Sequence, residues 1–278
     1  MFTELIGRGK LTQLAARRGD CHKGQLGHVL VVAGGAGMGG AGLLTAQSSL
    51  RLGAGLVTLA SMPEHVVASL CRQPEIMARA VTQAAHLRPL LDSCSVIVAG
   101  PGLGMTPWAT ELLAELVQQQ QPQVWDADAL NLLAARRAVR PAGARLVLTP
   151  HPGEAARLLG WSTAAVQQQR ERAVQELAAR YSAVVVLKGA QTLVAEEAGQ
   201  VCLCQRGHPV MAGAGFGDVL AGVIGALLAQ GMADFDAACL AVYLHACAGE
   251  QLAVLGRGVV ASDLLEPMRR LLQQHSPV

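Results

Sequence analysis

Six short runs rich in Val, Ile and Leu (His28–Ala33, Leu56–Ala60, Ser95–Ala99, Gln123–Trp125, Arg145–Leu148 and Ala183–Leu187) each lead into a Gly, Pro or Asp turn and then a helical pattern. Strands that are apolar along their whole length, rather than at alternate positions, have to be covered on both faces. Intervening helices supply that cover through right-handed βαβ crossovers, so the expected fold class is α/β: a doubly wound, mostly parallel sheet with helices on both faces. Gln191–Ala195 and Val201–Cys204, joined across Glu196–Gln200, break the alternation and read as a β-hairpin. After Gly217 the pattern is helical to the end, in segments Asp218–Gln230, Phe235–Leu255 and Ser262–Gln274. No linker, repeat or biased tract beyond Gln118–Gln121 divides the 278 residues, so one domain over residues 1–278 is expected.

Bulk properties exclude several function classes. A net charge of +2 with scattered lysines and arginines offers no stripe for a polyanion, so nucleic acid is not an expected partner. The start MFTELIGRGK lacks a signal-peptide core, and no uncharged run reaches the roughly 20 residues of a membrane span. Seven cysteines without a CxxC pair make a poor disulfide or zinc set and suit a reducing cytoplasm. His245 falls in an apolar helical pattern and reads as a core residue, whereas His65, His86 and His275 read as solvent-facing.

The unusual residues gather just past the strands: Gly34-Gly35, Gly100 to Gly104, Asp126-Ala127-Asp128, Thr149 to Glu154 and Lys188-Gly189. In a parallel sheet these turns share the carboxyl edge, where open α/β folds bind ligands. Gly35 to Gly40 contains GxGxxG, but the next strand ends at Ala60-Ser61 without the acid a dinucleotide fingerprint needs. Close backbone approach to a ligand, or a structural turn, accounts for these glycines better. Lys188 is suited to hold a phosphate as a point charge, or else to snorkel at a sheet edge. Asp126 and Asp128 either face a magnesium–nucleotide complex together, or Asp128 caps the helix Ala129–Ala135. His151 stands between two prolines in a rigid turn, and Glu154 either reaches a metal or caps the next helix. The stretch GHPVMAGAGFGDVLAG, Gly207 to Gly222, opens a helix on glycines and makes an anion site with Asp218 at its mouth. The helix dipole is expected to keep Asp218 ionised.

Together HKGQLGHVLVVAGG, GAGLVTLA, VIVAGPGLG, VWDADALNLLA, LTPHPGEAARLLG, VVVLKGAQT and MAGAGFGDVLAGVIGALLAQG resemble the ADP-dependent NAD(P)H-hydrate dehydratases of the ribokinase-like superfamily, in order from about His22 to about Ala261. The resemblance implies ADP-dependent conversion of (6S)-NADHX and (6S)-NADPHX to NADH and NADPH, releasing AMP and phosphate, with Mg2+ as cofactor. By the matching motifs Asp218 is the base on the C6 hydroxyl. Gly213, Ala214, Gly215 and Gly217 line the transferring phosphoryl group, and Lys188, Gly189, Ala190, Gln191 and Thr192 the AMP portion. Ala41, Gly102, Gly104, His151 and Asp126 fall on the hydrate side, and Glu154 takes the position of the magnesium-associated acid. A cytoplasmic homotetramer is also implied. Two alternatives stand beside this: a small-molecule kinase of the same superfamily, and a catalytically weakened nucleotide-binding paralogue.

The family usually reads close to GNxGMA(S/T)GG(M/T/S)GD. This chain has His208 for Asn, Val210 for Gly, Gly213 for Ser or Thr, Ala214 for Gly, and Phe216 at the variable position. A lost hydroxyl at 213 removes one phosphate contact, and alanine at 214 costs roughly 1 kcal/mol if the site needs positive φ. His208 and Phe216 are expected to add bulk where the ring or phosphate sits.

Overall fold

The computed structural model describes residues 4–7, 9, 11–136 and 138–278. The strands are β1 (Glu4–Leu5), β2 (His28–Val32), β3 (Leu56–Ser61), β4 (Met77–Ala80), β5 (Val96–Ala99), β6 (Gln123–Trp125), β7 (Leu146–Leu148), β8 (Val184–Leu187), β9 (Thr192–Ala195) and β10 (Val201–Cys204). They form one sheet in the order β1-β10-β9-β8-β7-β6-β5-β2-β3-β4. From β8 to β4 every neighbouring pair is parallel. The β9–β10 hairpin is antiparallel within itself and to β8, while β1 runs parallel to β10 at the edge.

All six apolar runs and the hairpin are strands, and two further strands were not expected. β4 reads MARA, pairs among the described residues only with β3 and keeps Arg79 and Ala80 exposed, so it carries no continuous apolar signal. The other, β1, is two residues long.

Alternate residues of β2 point into two separate cores. Val29, Val31 and Ala33 pack with the helices Gly39–Arg51, Phe216–Ala229, Asp234–Leu252 and Leu265–His275. Leu30 and Val32 pack with Pro107–Leu116, Asp128–Ala134, Pro152–Leu159 and Arg170–Tyr181. Asp234–Leu255 is long and apolar enough to cross a membrane by length and composition, but Ala237 to Val242 and Ala246 to Gly249 are buried within this core. The last helix begins at Leu265 rather than Ser262, after a 3-10 turn over Ala261–Leu264. Pro267 is tolerated only in a first turn, which fixes that start.

The helix Phe216–Ala229 is apolar around its whole circumference and buried on nearly every side. It lies against Gly39–Arg51 so closely that a methyl at Gly222 would stand 2.1 Å from Ser48 Oγ and 2.2 Å from Thr45 O. Buried hydroxyls tie the pair together: Ser49 Oγ donates to Gly222 O at 3.0 Å, and Thr45 Oγ1 is shared between Asp218 O at 3.1 Å and Ala41 O at 3.0 Å.

Candidate active site

The chain leaves β2 toward β3 on one side and returns to β5 on the other, so strand order reverses between β2 and β5. Their following loops flank the crevice that such a reversal creates. The loops are bonded to each other: Gly34 N–H donates to Pro101 O at 3.0 Å and Gly35 N–H to Gly102 O at 2.6 Å. Gly102 has φ 57°, and a Cβ there would lie 2.9 Å from Met38 Cβ and 3.0 Å from Ala41 Cβ. Ala41 and Gly102, expected on the hydrate side, are therefore neighbours. Gly104 N–H donates to Asp128 Oδ2 at 2.8 Å, and Asn131 donates to Asp128 Oδ1 at 3.2 Å. Asp128 thus braces the Gly100–Gly104 loop. It is the first helical residue, after Ala127 at the cap position with φ 48°.

Asp126 points elsewhere, so the two aspartates do not act as a pair. Its side chain is buried, and its Oδ1 accepts from Thr149 Oγ1 at 2.7 Å and Lys188 Nζ at 2.5 Å. Lys188 is consequently paired instead of snorkelling, with its side chain 18% exposed. A Cβ on Gly217 would stand 3.2 Å from Lys188 Nζ and 3.6 Å from Asp126 Oδ2. Three elements distant in sequence therefore meet at one point: the ends of β6 and β8 and the start of Phe216–Ala229.

That helix is capped by Gly215 at φ 88°, which places Gly217 second and Asp218 third in its first turn. First-turn amides have no intrahelical partner and point out of the end, as an anion site requires. The departures at 208–216 act differently from expectation. Positive φ at non-glycine residues is confined, among the described residues, to Ala127, Arg136, Ser182 and Gln191, so Ala214 has ordinary φ and the alanine penalty does not arise. Phe216 is buried and its ring meets the His245 ring edge-on, with centroids 6.4 Å apart. It fills the space beside residue 213, where a Cβ would approach Phe216 Cε2 to 3.2 Å. His208 is exposed and accepts the Val210 N–H at Nδ1, capping the short turn Pro209–Met211.

His151 and Glu154 cap the helix Pro152–Leu159 together. His151 Nδ1 accepts from the Gly153 and Glu154 amides at 3.0 and 3.3 Å, and Glu154 Oε2 accepts the His151 N–H at 2.8 Å. The neutral ring therefore carries its proton on Nε2, 3.3 Å from Glu154 Oε1. Among the described residues no three His, Cys, Asp or Glu converge as metal ligands. This donor set fits a magnesium ion that arrives coordinated by phosphates and water, not one caged by protein.

Burial raises Asp218 to about 6, reinforced by Asp126 and Asp128 and opposed by Lys188. Asp218 was expected to be kept ionised by the helix dipole; burial and the neighbouring carboxylates push the other way, and the group is still mostly ionised at pH 7. Burial also raises Glu154 to about 7, against the pull of Lys188. Burial pulls Lys188 down, but Asp126 and then Glu154 outweigh it and hold the ammonium above its ordinary value. His151 is lowered by burial and then by Lys188 and Arg157, so its ring is neutral at pH 7.

The turn Lys188–Thr192 joins β8 to β9, with Gly189 at φ 133°, Gln191 at φ 58° and Thr192 Oγ1 donating to Gly189 O at 2.9 Å. Three contacts here were not read from the sequence, although Thr149 stood in the Thr149–Glu154 turn and His245 read as a core residue. Thr149 anchors Asp126, His245 Nε2 sits 2.9 Å from Phe216 O, and Arg170 donates to the backbone of this turn. Thr149 had a signal, since it opens the Thr149–Glu154 motif; the other two lie far from any motif. Two histidines also differ from expectation. His275 is buried with Nε2 3.1 Å from Thr12 O, and the His65 side chain is 15% exposed with Nε2 3.1 Å from Gly35 O, supporting the first glycine loop.

Residues 29–269 match the family model described as NAD(P)H-hydrate dehydratase. The chain is 44% identical over 277 residues to the bifunctional NAD(P)H-hydrate repair enzyme Nnr of Coxiella burnetii, covering 98% of this chain and 56% of that protein. It is 40% identical over 268 residues to the ADP-dependent (S)-NAD(P)H-hydrate dehydratase of Neisseria meningitidis serogroup B, covering 92% of this chain and 88% of that one. The chain spans about half the length of the bifunctional relatives it matches. Its fold superposes with a TM-score of 0.88, at 27% identity and over 99% of this chain and 100% of the other, on the ADP/ATP-dependent NAD(P)H-hydrate dehydratase from Bacillus subtilis co-crystallized with ATP and Mg2+.

Proposed function

The chain belongs to the NAD(P)H-hydrate dehydratase family, and from that premise we propose that it converts (6S)-NADHX and (6S)-NADPHX to NADH and NADPH, consuming ADP and releasing AMP and phosphate. The observation that carries this reading is the placement of Asp218 in a glycine-opened helix turn whose Gly217 lies beside Lys188. A base, an ammonium and unpaired amides at one point are what phosphoryl transfer needs, since that chemistry depends on alignment and charge stabilisation.

In the first step Asp218 takes the proton of the C6 hydroxyl as that oxygen attacks the terminal phosphorus of ADP, and AMP leaves. A carboxylate near 6 suits a general base at neutral pH, being mostly ionised yet still basic. The amides of Ala214, Gly215 and Gly217 and the Lys188 ammonium receive the charge of the transferring group, whereas the Gly213 N–H, placed there by the resemblance, donates to Met211 O at 2.9 Å. Gly189, Ala190, Gln191 and Thr192 line the AMP portion. In the second step the ring nitrogen pushes its electron pair toward C6, the C6–O bond breaks with phosphate as the leaving group, and the resulting iminium loses a proton from C5 to solvent, leaving the C5–C6 double bond of NADH or NADPH. Ala41, Gly102, Gly104 and the Nε2 edge of His151 face the hydrate, while Asp126, buried and bonded, acts on it only by holding Lys188. Mg2+ bound with the nucleotide beside Glu154 would neutralise phosphate charge.

Loop geometry supports turnover over a silent paralogue, because Ala214 is unstrained and Phe216 is turned into the core. The proposal extends to a cytoplasmic homotetramer without nucleic-acid or membrane partners. Exposed Val67, Leu70, Val254, Leu255 and Val260 offer apolar surface for self-association. Purified protein with ADP, Mg2+ and NADHX is expected to form AMP in step with reduced-nicotinamide absorbance. Absence of both, under conditions where a known dehydratase turns over, would overturn it.

A further inference from the structure

Arg170 occupies a place that is unfavourable for a cation. It is the first residue of the helix Arg170–Tyr181, where a positive charge opposes the helix dipole. It is also partly buried, and that burial lowers its pKa. Its hydrogen-bond partners are all uncharged: Gln167 Oε1 at 3.0 Å from Nη1, and Leu187 O, Lys188 O and Gln191 O at 3.0, 3.3 and 3.3 Å from Nη2. The last three carbonyls belong to the end of β8 and the turn that follows.

That turn does not hold its shape by local preference. Gln191 sits at φ 58°, a region that disfavours any side-chain-bearing residue by roughly 1–2 kcal/mol. Gly189 sits at φ 133°, and a Cβ on it would come within 3.3 Å of Arg170 Nη1, so the guanidinium lies against the backbone of the turn. Lys188 is fixed from both sides: its N–H donates to Pro150 O at 2.9 Å and its carbonyl accepts from Arg170. Nη2 alone serves the three carbonyls while Gln167 holds Nη1, and a lysine ammonium on its flexible stem reproduces that fixed, planar arrangement less well.

We propose that Arg170 is a positioning residue for the nucleotide: it holds Lys188–Thr192 in the shape that receives ADP without itself touching it. This rests on the reading of that turn as the nucleotide site. It assigns to a helix start on the far side of the turn a share in nucleotide affinity and none in the chemistry at Asp218.

The test is calorimetric binding of ADP with Mg2+ to the full chain, comparing wild type with Arg170→Ala, Arg170→Lys and Lys188→Ala. R170A is expected to bind about tenfold or more weakly, equivalent to about 1.4 kcal/mol, with R170K between it and wild type. In turnover, the KM for ADP should rise while kcat and the KM for NADHX stay within about threefold, a split that general loss of structure does not produce. Wild-type affinity in R170A alongside weakened binding in K188A overturns the positioning role and leaves the nucleotide site standing. Failure of wild type itself to bind ADP removes the nucleotide reading and this inference with it. Should R170A not fold, R170K decides: it keeps the charge, and ADP affinity equal to wild type refutes the role of the fork.

Discussion

Two glycines five residues apart on the helix Phe216–Ala229 should respond oppositely to the same methyl group. At Gly222 the added carbon would stand 2.1 Å from Ser48 Oγ and 2.2 Å from Thr45 O, so the Gly39–Arg51 helix has to retreat by about an ångström. Overpacking of this kind costs roughly 1–3 kcal/mol, and the Ser49 and Thr45 bonds it disrupts contribute about 1 kcal/mol each. The better helix propensity of alanine returns about 1 kcal/mol. Gly222→Ala is therefore expected to lose about 2–4 kcal/mol, or roughly 3–7 °C in Tm for a chain of this size. At Gly217 the nearest atom is the end of a flexible side chain, Lys188 Nζ at 3.2 Å, and φ is not positive. Gly217→Ala should fold as well as wild type or up to about 1 kcal/mol better. Its methyl nevertheless stands between the ammonium and any phosphate over the helix end. Losing one charge-assisted contact of about 1.5–3 kcal/mol raises the KM for ADP roughly ten- to hundredfold. Thermal melts and steady-state kinetics on both variants check the pair. A stable G222A, or a G217A with unaltered KM for ADP, refutes the packing and site geometry respectively.

Asp218→Asn should lower kcat by roughly 10²–10⁴-fold while ADP still binds, since only the base is lost. In wild type the rate should rise with pH through about 6 as Asp218 ionises, and a profile flat from pH 5 to 7 would remove its role as the base. Glu154, raised from an ordinary 4.5 to about 7, holds its proton more tightly in the folded state. Its contribution is complete below about 4.5 and is lost as pH rises through about 7. Glu154→Gln should thus flatten the fall in Tm of the ligand-free protein across that window, and equal slopes in both proteins would contradict it. Gly213→Ser should lower Tm because its Cβ comes within 3.2 Å of Phe216 Cε2, with Phe216→Leu in the same chain relieving the loss. Additive Tm changes in that pair would mean the two positions do not compete for space.

The parallel sheet was legible because its strands are apolar throughout, as burial on both faces demands. β1 and β4 were not, since an edge strand needs only one partner and can keep Arg79 in water. The turns at the carboxyl edge were legible because Gly, Pro, Asp and Lys stand directly after apolar runs and break their composition. Pairing of side chains across the edge was hidden. Nothing in the spacing says that Asp126 Oδ1 is filled by Thr149 and Lys188, or that Asp128 turns away to Gly104. Phe216 misled for the same reason. Its bulk was visible, but its direction depends on His245, which packs against it from a different helix.

The hydroxyls of Thr45 and Ser49 that yoke the two core helices carry no charge and do not titrate near neutrality. Ala41 and Asp218 stand on opposite sides of that yoke, one on each helix. Acid, base and added salt therefore act on the ionisable groups in the crevice while its frame keeps its dimensions. For the proposed reaction, whose two substrates both carry phosphates, this makes ionic strength a clean instrument. A salt-dependent rate in this protein reports attraction between charges, not a change in the span that the reacting groups must cross.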